Sequence, residues 1–146
     1  MKKIKIGIVG CGGIANNKHL PAIERNGNFE VAAFCDIIPE RAEKAKEKFG
    51  TDYAKVFTDY KELVQEDLDA VYVLTPNKSH AKISIAAMRA GKHVMCEKPM
   101  AKTYAEAMEM VKVSEETGKL LTIGYQSRYR VDSIYLKRAC QNGDLG

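Results

Sequence analysis

Gly10-Cys11-Gly12-Gly13-Ile14-Ala15 reads G-x-G-x-x-A, directly after an apolar run and ahead of a helical pattern. Each small residue has its own task in such a turn. Gly10 permits the tight bend, Gly12 lets backbone N–H groups approach a diphosphate, and Ala15 lets the next helix pack close to a sheet. The helix N-terminus then offers unpaired N–H groups and a positive dipole end to phosphate oxygens. Asp36 closes the second apolar run, 21 residues after Ala15. A carboxylate there can accept hydrogen bonds from both hydroxyls of an adenosine ribose, and its charge repels a 2′-phosphate. NAD is therefore expected over NADP. Ile37 and Ile38 bring no positive charge, whereas Arg41, one helical turn on, works against the discrimination. Asp36 merely ending a strand is the plainer alternative. Cys11 reads as a small loop residue; lowering of its pKa by the helix N-terminus is the minor alternative.

Three further polar segments follow apolar runs: Thr75-Pro76-Asn77-Lys78-Ser79-His80, Glu97-Lys98-Pro99 and Tyr125-Gln126-Ser127-Arg128. In open parallel sheets, ligands lie across the carboxyl ends of the strands, so these are the places to expect a site.

The elements that must carry these loops are legible as alternating patterns. Strands are predicted at 3–9, 29–35, 54–57, 70–74, 93–96 and 120–125. Helices are predicted over 14–25, 39–49 with Pro39 in the first turn, after Thr58 or Asp59, over 79–90, 103–117 and 131–141. Ser79 is the expected cap of the fourth helix, Gly91 its stop, and Gly118 the stop of the fifth. Ile6-Gly7-Ile8-Val9, Val31-Ala32-Ala33-Phe34 and Val71-Tyr72-Val73-Leu74 are apolar throughout rather than alternating. That pattern predicts a parallel sheet buried on both faces, a doubly wound α/β fold. Tyr104, Met108, Val111 and Glu115 share one helical stripe, which predicts that Met108 and Val111 pack on the sheet. Arg41 to Lys48 is a charged run that reads as a solvated helix face. Residues 1–125 are expected to form one dinucleotide-binding domain, with 126–146 beginning a connection out of it.

The 146 residues are 45% hydrophobic and 29% charged, ordinary globular composition. The net charge of +4 comes from 23 basic and 19 acidic residues interspersed along the chain, unlike a nucleic-acid-binding stripe. No apolar stretch approaches the roughly 18 residues of a membrane helix. Lys2, Lys3 and Lys5 ahead of Ile6–Gly10 resemble an export signal, but such a core needs about 7–15 apolar residues and Lys5 interrupts this one. Cys11, Cys35, Cys96 and Cys140 are far apart, and His19, His80 and His93 have no metal-ligand spacing with them. Reduced thiols, no disulfide, no metal and a cytoplasmic location are expected.

In this order, G-C-G-G-I-A at 10–15, Asp36, T-P-N-K-S-H at 75–80 and C-E-K-P at 96–99 resemble the N-terminal domain of the glucose–fructose oxidoreductase/inositol dehydrogenase (Gfo/Idh/MocA) family. The matches span about the first 130 residues. The E-K-P triplet makes them far more specific than glycines alone. The resemblance implies an NAD-dependent dehydrogenase that interconverts a secondary alcohol and a ketone on a sugar, inositol or related polyol. In that family the E-K-P lysine lies beside the nicotinamide and the substrate carbinol, so Lys98 is the expected catalytic residue. A crowded ammonium can exchange protons near neutral pH, and a charged one can stabilise an alkoxide as hydride leaves; a solvent-facing lysine is the bland alternative. Glu97 is implied on the cofactor side, orienting Lys98 or bonding a ribose, and the Lys98–Pro99 bond is often cis in the family.

Thr75, Pro76 and Asn77 resemble the stretch along the pyrophosphate and nicotinamide ribose. For Asn77 and His80, helix capping or a first-turn surface position is the competing reading. The full expected cofactor set is Gly10, Cys11, Gly12, Gly13, Ile14, Asp36, Ile37, Thr75, Pro76, Asn77, His80, Glu97 and Lys98. Lys98, Tyr125 and Arg128, with Gln126 beside them, are expected to face substrate; an exposed segment leading to the last helix is the alternative. Family members run to more than twice this length, with a second α/β domain that supplies much of the substrate pocket and the oligomer interface. The expectation is therefore a small-molecule substrate, homo-oligomers formed through that domain, and NAD binding with little turnover by these residues alone. A non-catalytic NAD-responsive sensor of the same fold is the rival, since look-alikes include a transcriptional repressor; the intact E-K-P favours the enzyme.

Overall fold

A computed structural model describes residues 2–145. Six strands form one all-parallel sheet: β1 (Ile4–Val9), β2 (Phe29–Cys35), β3 (Lys55–Phe57), β4 (Ala70–Val73), β5 (His93–Cys96) and β6 (Leu121–Ile123). Their order across the sheet is β3-β2-β1-β4-β5-β6, so the direction of winding reverses between β1 and β4. A crevice opens at such a reversal because the loops on either side leave toward opposite faces.

The connecting helices are α1 (Leu20–Asn26), α2 (Pro39–Phe49), α3 (Tyr60–Leu63), α4 (His80–Arg89), α5 (Tyr104–Thr117) and a last helix α6 (Val131–Asn142). A π-helical turn, Ala15–His19, precedes α1. Single 3₁₀ turns, Asn77–Ser79 and Gln126–Tyr129, precede α4 and α6. Among the described residues no helix is long and apolar enough to cross a membrane.

Two cores follow from the pleat. Ile6 and Ile8 point to one face with Leu20, Ile23, Phe34, Ala42 and Ala45 of β2, α1 and α2. Val9, Val71, Val73, Val94 and Cys96 point to the other, under Leu63, Met88, Met110 and Val113. In β2, Val31 and Phe34 share a face although three residues apart, which a strict two-residue alternation forbids. The register explains it: Ile6 pairs with Val31 but Gly7 with Ala33, so Ala32 is an extra residue that reverses the alternation.

The structure corrects three expectations. Met108 and Val111 are exposed; Met110 and Val113, one stripe round α5, are buried instead. Ser79 occupies the N-cap position of α4, but its hydroxyl makes no cap bond and donates back to Pro76 O at 2.8 Å. Burial on both faces holds over the whole Ile6–Val9 run of β1 but lapses in β4, where buried and half-buried positions alternate. The α1 and α2 layer covers β1–β3, whereas α6 packs chiefly on the Gln126–Tyr129 turn. Side-chain caps start two of the helices. Asp59 accepts from Lys61 N at the start of α3, and Thr103 and Glu106 form a reciprocal capping box on α5.

Candidate dinucleotide site at the carboxyl edge of the sheet

Each loop leaves the sheet from the same edge, because one ladder bond continues past each strand end. Gly10 N donates to Cys35 O at 2.8 Å, Leu74 N to Val9 O at 2.8 Å, Glu97 N to Val73 O at 3.0 Å and Gly124 N to Cys96 O at 2.8 Å. The glycine loop, the Thr75 loop, E-K-P and the Tyr125 segment are thereby brought side by side.

The glycines divide their work as the spacing predicts. Gly10 has φ +97°, and a Cβ there would sit 2.7 Å from the backbone carbonyl of Leu74 and 2.8 Å from Thr75 N. Only glycine lets β1 turn against the neighbouring loop so closely. Gly12 is the opposite case: a Cβ would meet nothing within 4 Å, and at Gly13 it would meet only Asn17 Nδ2 at 3.8 Å. The space in front of these two residues is open, which fits an approaching diphosphate. The Asn16 side chain donates to Cys11 O at 2.8 Å and Gly12 O at 3.0 Å, fastening the loop from behind.

Asp36 is buried, and its carboxylate is already engaged with backbone. Oδ2 accepts from Cys11 N at 2.8 Å, and Oδ1 accepts from Ile38 N at 3.0 Å. A carboxylate has about four acceptor positions, so each oxygen retains one for a ribose hydroxyl. Asp36 thus both fixes the glycine loop and presents acceptor capacity at the end of β2. The reactive reading of Cys11 is corrected: burial, then the Asp36 charge, pushes its thiol up to about 12. Burial likewise pushes Cys35 to about 12 and Cys96 to about 11. Ile14 and Ile37 are exposed beside the loop and beside Asp36.

Glu97 is buried, with both carboxylate oxygens occupied. Oε2 accepts from Lys98 N at 3.0 Å, and Oε1 lies 2.8 Å from His19 Nε2. A Cβ at Gly124 would lie 3.2 Å from Oε1, so glycine there leaves room for the carboxylate. The His19 ring meets the Tyr72 ring edge to face, with centroids 6.2 Å apart. The contacts of Glu97 are thus to the Lys98 backbone amide and to His19. The Lys98–Pro99 peptide is cis.

His80 is 1% exposed, which excludes a surface position at the start of α4. Its Nδ1 lies 2.7 Å from Pro99 O and its Nε2 2.7 Å from Thr75 O, so it ties two of the loops together. Thr75 is half-buried, while Pro76 and Asn77 are exposed along the rim. Lys98 is exposed, and among the described residues its ammonium has no ion-pair partner. It lines a cleft of about 370 Å³ with Tyr125, Gln126, Ser127 and Arg128. His19, Asn16 and Gly124 are the site residues that motif reasoning missed. An amide side chain at the mouth of a glycine loop was a usable signal for Asn16, but nothing local marks the other two.

Comparison with known proteins agrees with this geometry. Residues 4–125 match the model of the GFO_IDH_MocA family, an oxidoreductase family with an NAD-binding Rossmann fold. Inositol 2-dehydrogenase of Salmonella typhimurium is 35% identical over 146 residues, covering 98% of this chain and 43% of that protein. The structure of the WlbA dehydrogenase from Chromobacterium violaceum, in complex with NADH and UDP-GlcNAcA, superposes with a TM-score of 0.93 at 36% identity. It covers 100% of this chain and 42% of its own. A 3-ketoreductase from Actinomadura kijaniata in complex with NADP gives 0.88 at 32% identity, over 99% of this chain and 46% of its own. The chain therefore spans less than half the length of the relatives it matches. With the reversal of the sheet, the glycine loop, Asp36 and E-K-P all at one edge, the chain belongs to the Gfo/Idh/MocA oxidoreductase family, as its NAD-binding Rossmann domain.

Proposed function

We propose that this chain is the cofactor-holding part of an NAD-dependent dehydrogenase that interconverts a secondary alcohol and a ketone on a sugar, inositol or related polyol. The observation that carries the reading is the convergence of open space at Gly12, spare acceptors on Asp36 and the exposed Lys98 on one edge of the sheet. A dinucleotide laid along that edge would place its diphosphate over Gly10–Gly13 and its adenosine ribose at Asp36. The exposed Ile37, with Ile14, gives the adenine an apolar surface. Thr75, Pro76 and Asn77 border its other half, with Cys11 and His80 holding the loops from beneath.

Oxidation of a secondary alcohol takes a hydride from carbon and a proton from oxygen. When bound, the nicotinamide supplies the hydride acceptor. Lys98 stands in the cleft with Tyr125 and Arg128. In the reducing direction its ammonium would give the oxygen a proton as hydride reaches carbon, and in oxidation the amine so left would take that proton back. Arg128 suits hydroxyls or an anionic group on the substrate. On this reading residues 1–125 form the dinucleotide domain and 126–146 begin a connection toward a substrate-binding part, through which the whole protein would form homo-oligomers.

Relatives are known with either cofactor: the dehydrogenase from Chromobacterium violaceum with NADH and the 3-ketoreductase from Actinomadura kijaniata with NADP. The Asp36 carboxylate is what favours NAD here. Titration of the purified chain with NADH and NADPH, followed by reduced-nicotinamide fluorescence, is the test. Tighter binding of NADH supports the reading; equal binding, or none, overturns the assignment of Asp36.

A further inference from the structure

Two of the three histidines grip the residues on either side of Lys98. His19, at the end of the π-helical turn behind the glycine loop, holds the side chain of Glu97, the residue before. His80, at the start of α4, reaches the carbonyl of Pro99, the residue after. We propose that His19 and His80 are a pair of positioning residues that fix the Lys98 backbone against the glycine loop and the Thr75 loop. The proposal deepens the reading of Lys98 as the reacting lysine and rests on it.

The chemistry of the contacts supports a positioning task. Glu97 is 7% exposed, and a carboxylate so placed must have its oxygens satisfied by the protein. One oxygen receives the Lys98 amide and the other His19, so the side chain cannot turn without losing both. Gly124 leaves room on one side of that carboxylate, and the Tyr72 ring braces His19 edge to face. The His19 ring is set by a π-helical turn rather than a regular helix, and such turns rotate the side chains that follow them. For His80, both neighbours are carbonyl oxygens, which only accept. Its two ring nitrogens lie 2.7 Å from those oxygens, one on each loop, so the ring spans from Pro99 to Thr75. Neither histidine touches the ammonium. Both act on the peptide that carries it, and through it they join the loops of β1, β4 and β5.

The test uses the unliganded chain, so it does not depend on turnover or on cofactor. In hydrogen exchange followed by NMR, the Lys98 amide should be protected. In His19→Leu its exchange should speed at least tenfold while the amides of Ile8 and Val73 keep their rates. In His19→Gln, whose amide N–H can still donate to Glu97, most of the protection should return. An unchanged Lys98 rate in His19→Leu, or equal acceleration at Ile8 and Val73, overturns the proposal for His19. Replacing the buried His80 endangers the fold, so His80→Leu is read beside His80→Gln, whose amide can still donate to one of the two carbonyls. The Lys98 amide should exchange at least tenfold faster in the first, with Ile8 and Val73 unchanged, and recover in part in the second. An unchanged Lys98 rate in His80→Leu, or equal acceleration at Ile8 and Val73 in both variants, removes His80 from the pair. NADH titration of the same samples separates the two readings. A chain with a protected Lys98 amide that binds no NADH refutes the cofactor assignment alone, and one that binds NADH with an unprotected amide refutes the clamp alone.

Discussion

Alanine at Gly10 and alanine at Gly12 should fail in opposite ways. At Gly10 the new methyl meets backbone, the Leu74 carbonyl at 2.7 Å and Thr75 N at 2.8 Å, and the residue must hold φ +97°. Left-handed strain of about 1–3 kcal/mol and overpacking of about 1–3 kcal/mol sum to roughly 2–6 kcal/mol. A domain of this kind has only about 5–15 kcal/mol in total. With a urea slope of about 2 kcal/mol per molar, the unfolding midpoint should fall by about 1–3 M. At Gly12 a methyl meets no atom within 4 Å and φ is not positive, so stability should stay within about 0.5 kcal/mol. That methyl instead fills the approach of the diphosphate. Loss of one charge-assisted hydrogen bond, about 1.5–3 kcal/mol, weakens NADH binding roughly 10- to 100-fold. Urea unfolding followed by circular dichroism and NADH titration of both variants decide the matter. A folded Gly12→Ala that binds NADH as the wild type does would refute the placement of the diphosphate, and an unshifted midpoint in Gly10→Ala would refute the packing argument.

Three other substitutions or conditions probe separate parts of the structure. Asp36→Asn removes the charge that faces a 2′-phosphate, so the preference for NADH over NADPH should shrink at least about tenfold; parallel titrations with the two cofactors read it. Cys11, Cys35 and Cys96 hold their protons to about 12, about 12 and about 11 in the fold, while an unfolded thiol loses its proton near about 8.5. The unfolded state therefore binds fewer protons above that pH, and the stability these thiols confer is fully present below it. It is lost at up to about 1.4 kcal/mol per pH unit for each thiol as pH rises toward the folded values. Urea midpoints at pH 8, 9 and 10 should fall accordingly, and at pH 8 a thiol reagent should label exposed Cys140 well ahead of the other three. Thr103→Ala removes one half of the capping box on α5 and should cost about 1 kcal/mol in urea unfolding with no change in NADH affinity.

What the sequence made legible was the periodic part of the fold. Unbroken apolar runs at Ile6–Val9 and Val71–Leu74 pointed to a parallel sheet, and charged Arg41–Lys48 did become a solvated face around Ala42 and Ala45. The misreadings lie where two patterns overlap. Helix α5 carries Met108 and Val111 on one stripe and Met110 and Val113 on the next, and each satisfies helical spacing. Only the partner surface decides between them: Met88 of α4 lies in the same core as the second pair. Ser79 had the right type and place for a cap, but its hydroxyl turns back to donate to the Pro76 carbonyl instead of accepting from the helix.

The same distinction separates the two halves of the site. Asp36 could be found by counting from Ala15, because one β-α-β unit joins them and its length is nearly fixed by strand, turn and helix geometry. The Cys11–Asp36 contact spans 25 residues within that unit. His19 and Glu97 are 78 residues apart, and no spacing rule relates them. They meet because β4 lies between β1 and β5, so the loop after β1 and the loop after β5 stand on either side of the Thr75 loop. That arrangement belongs to the order of the strands, which local patterns do not encode. The residues that would touch a dinucleotide are therefore readable as motifs, while the residues that hold Lys98 in place are readable only from the folded sheet.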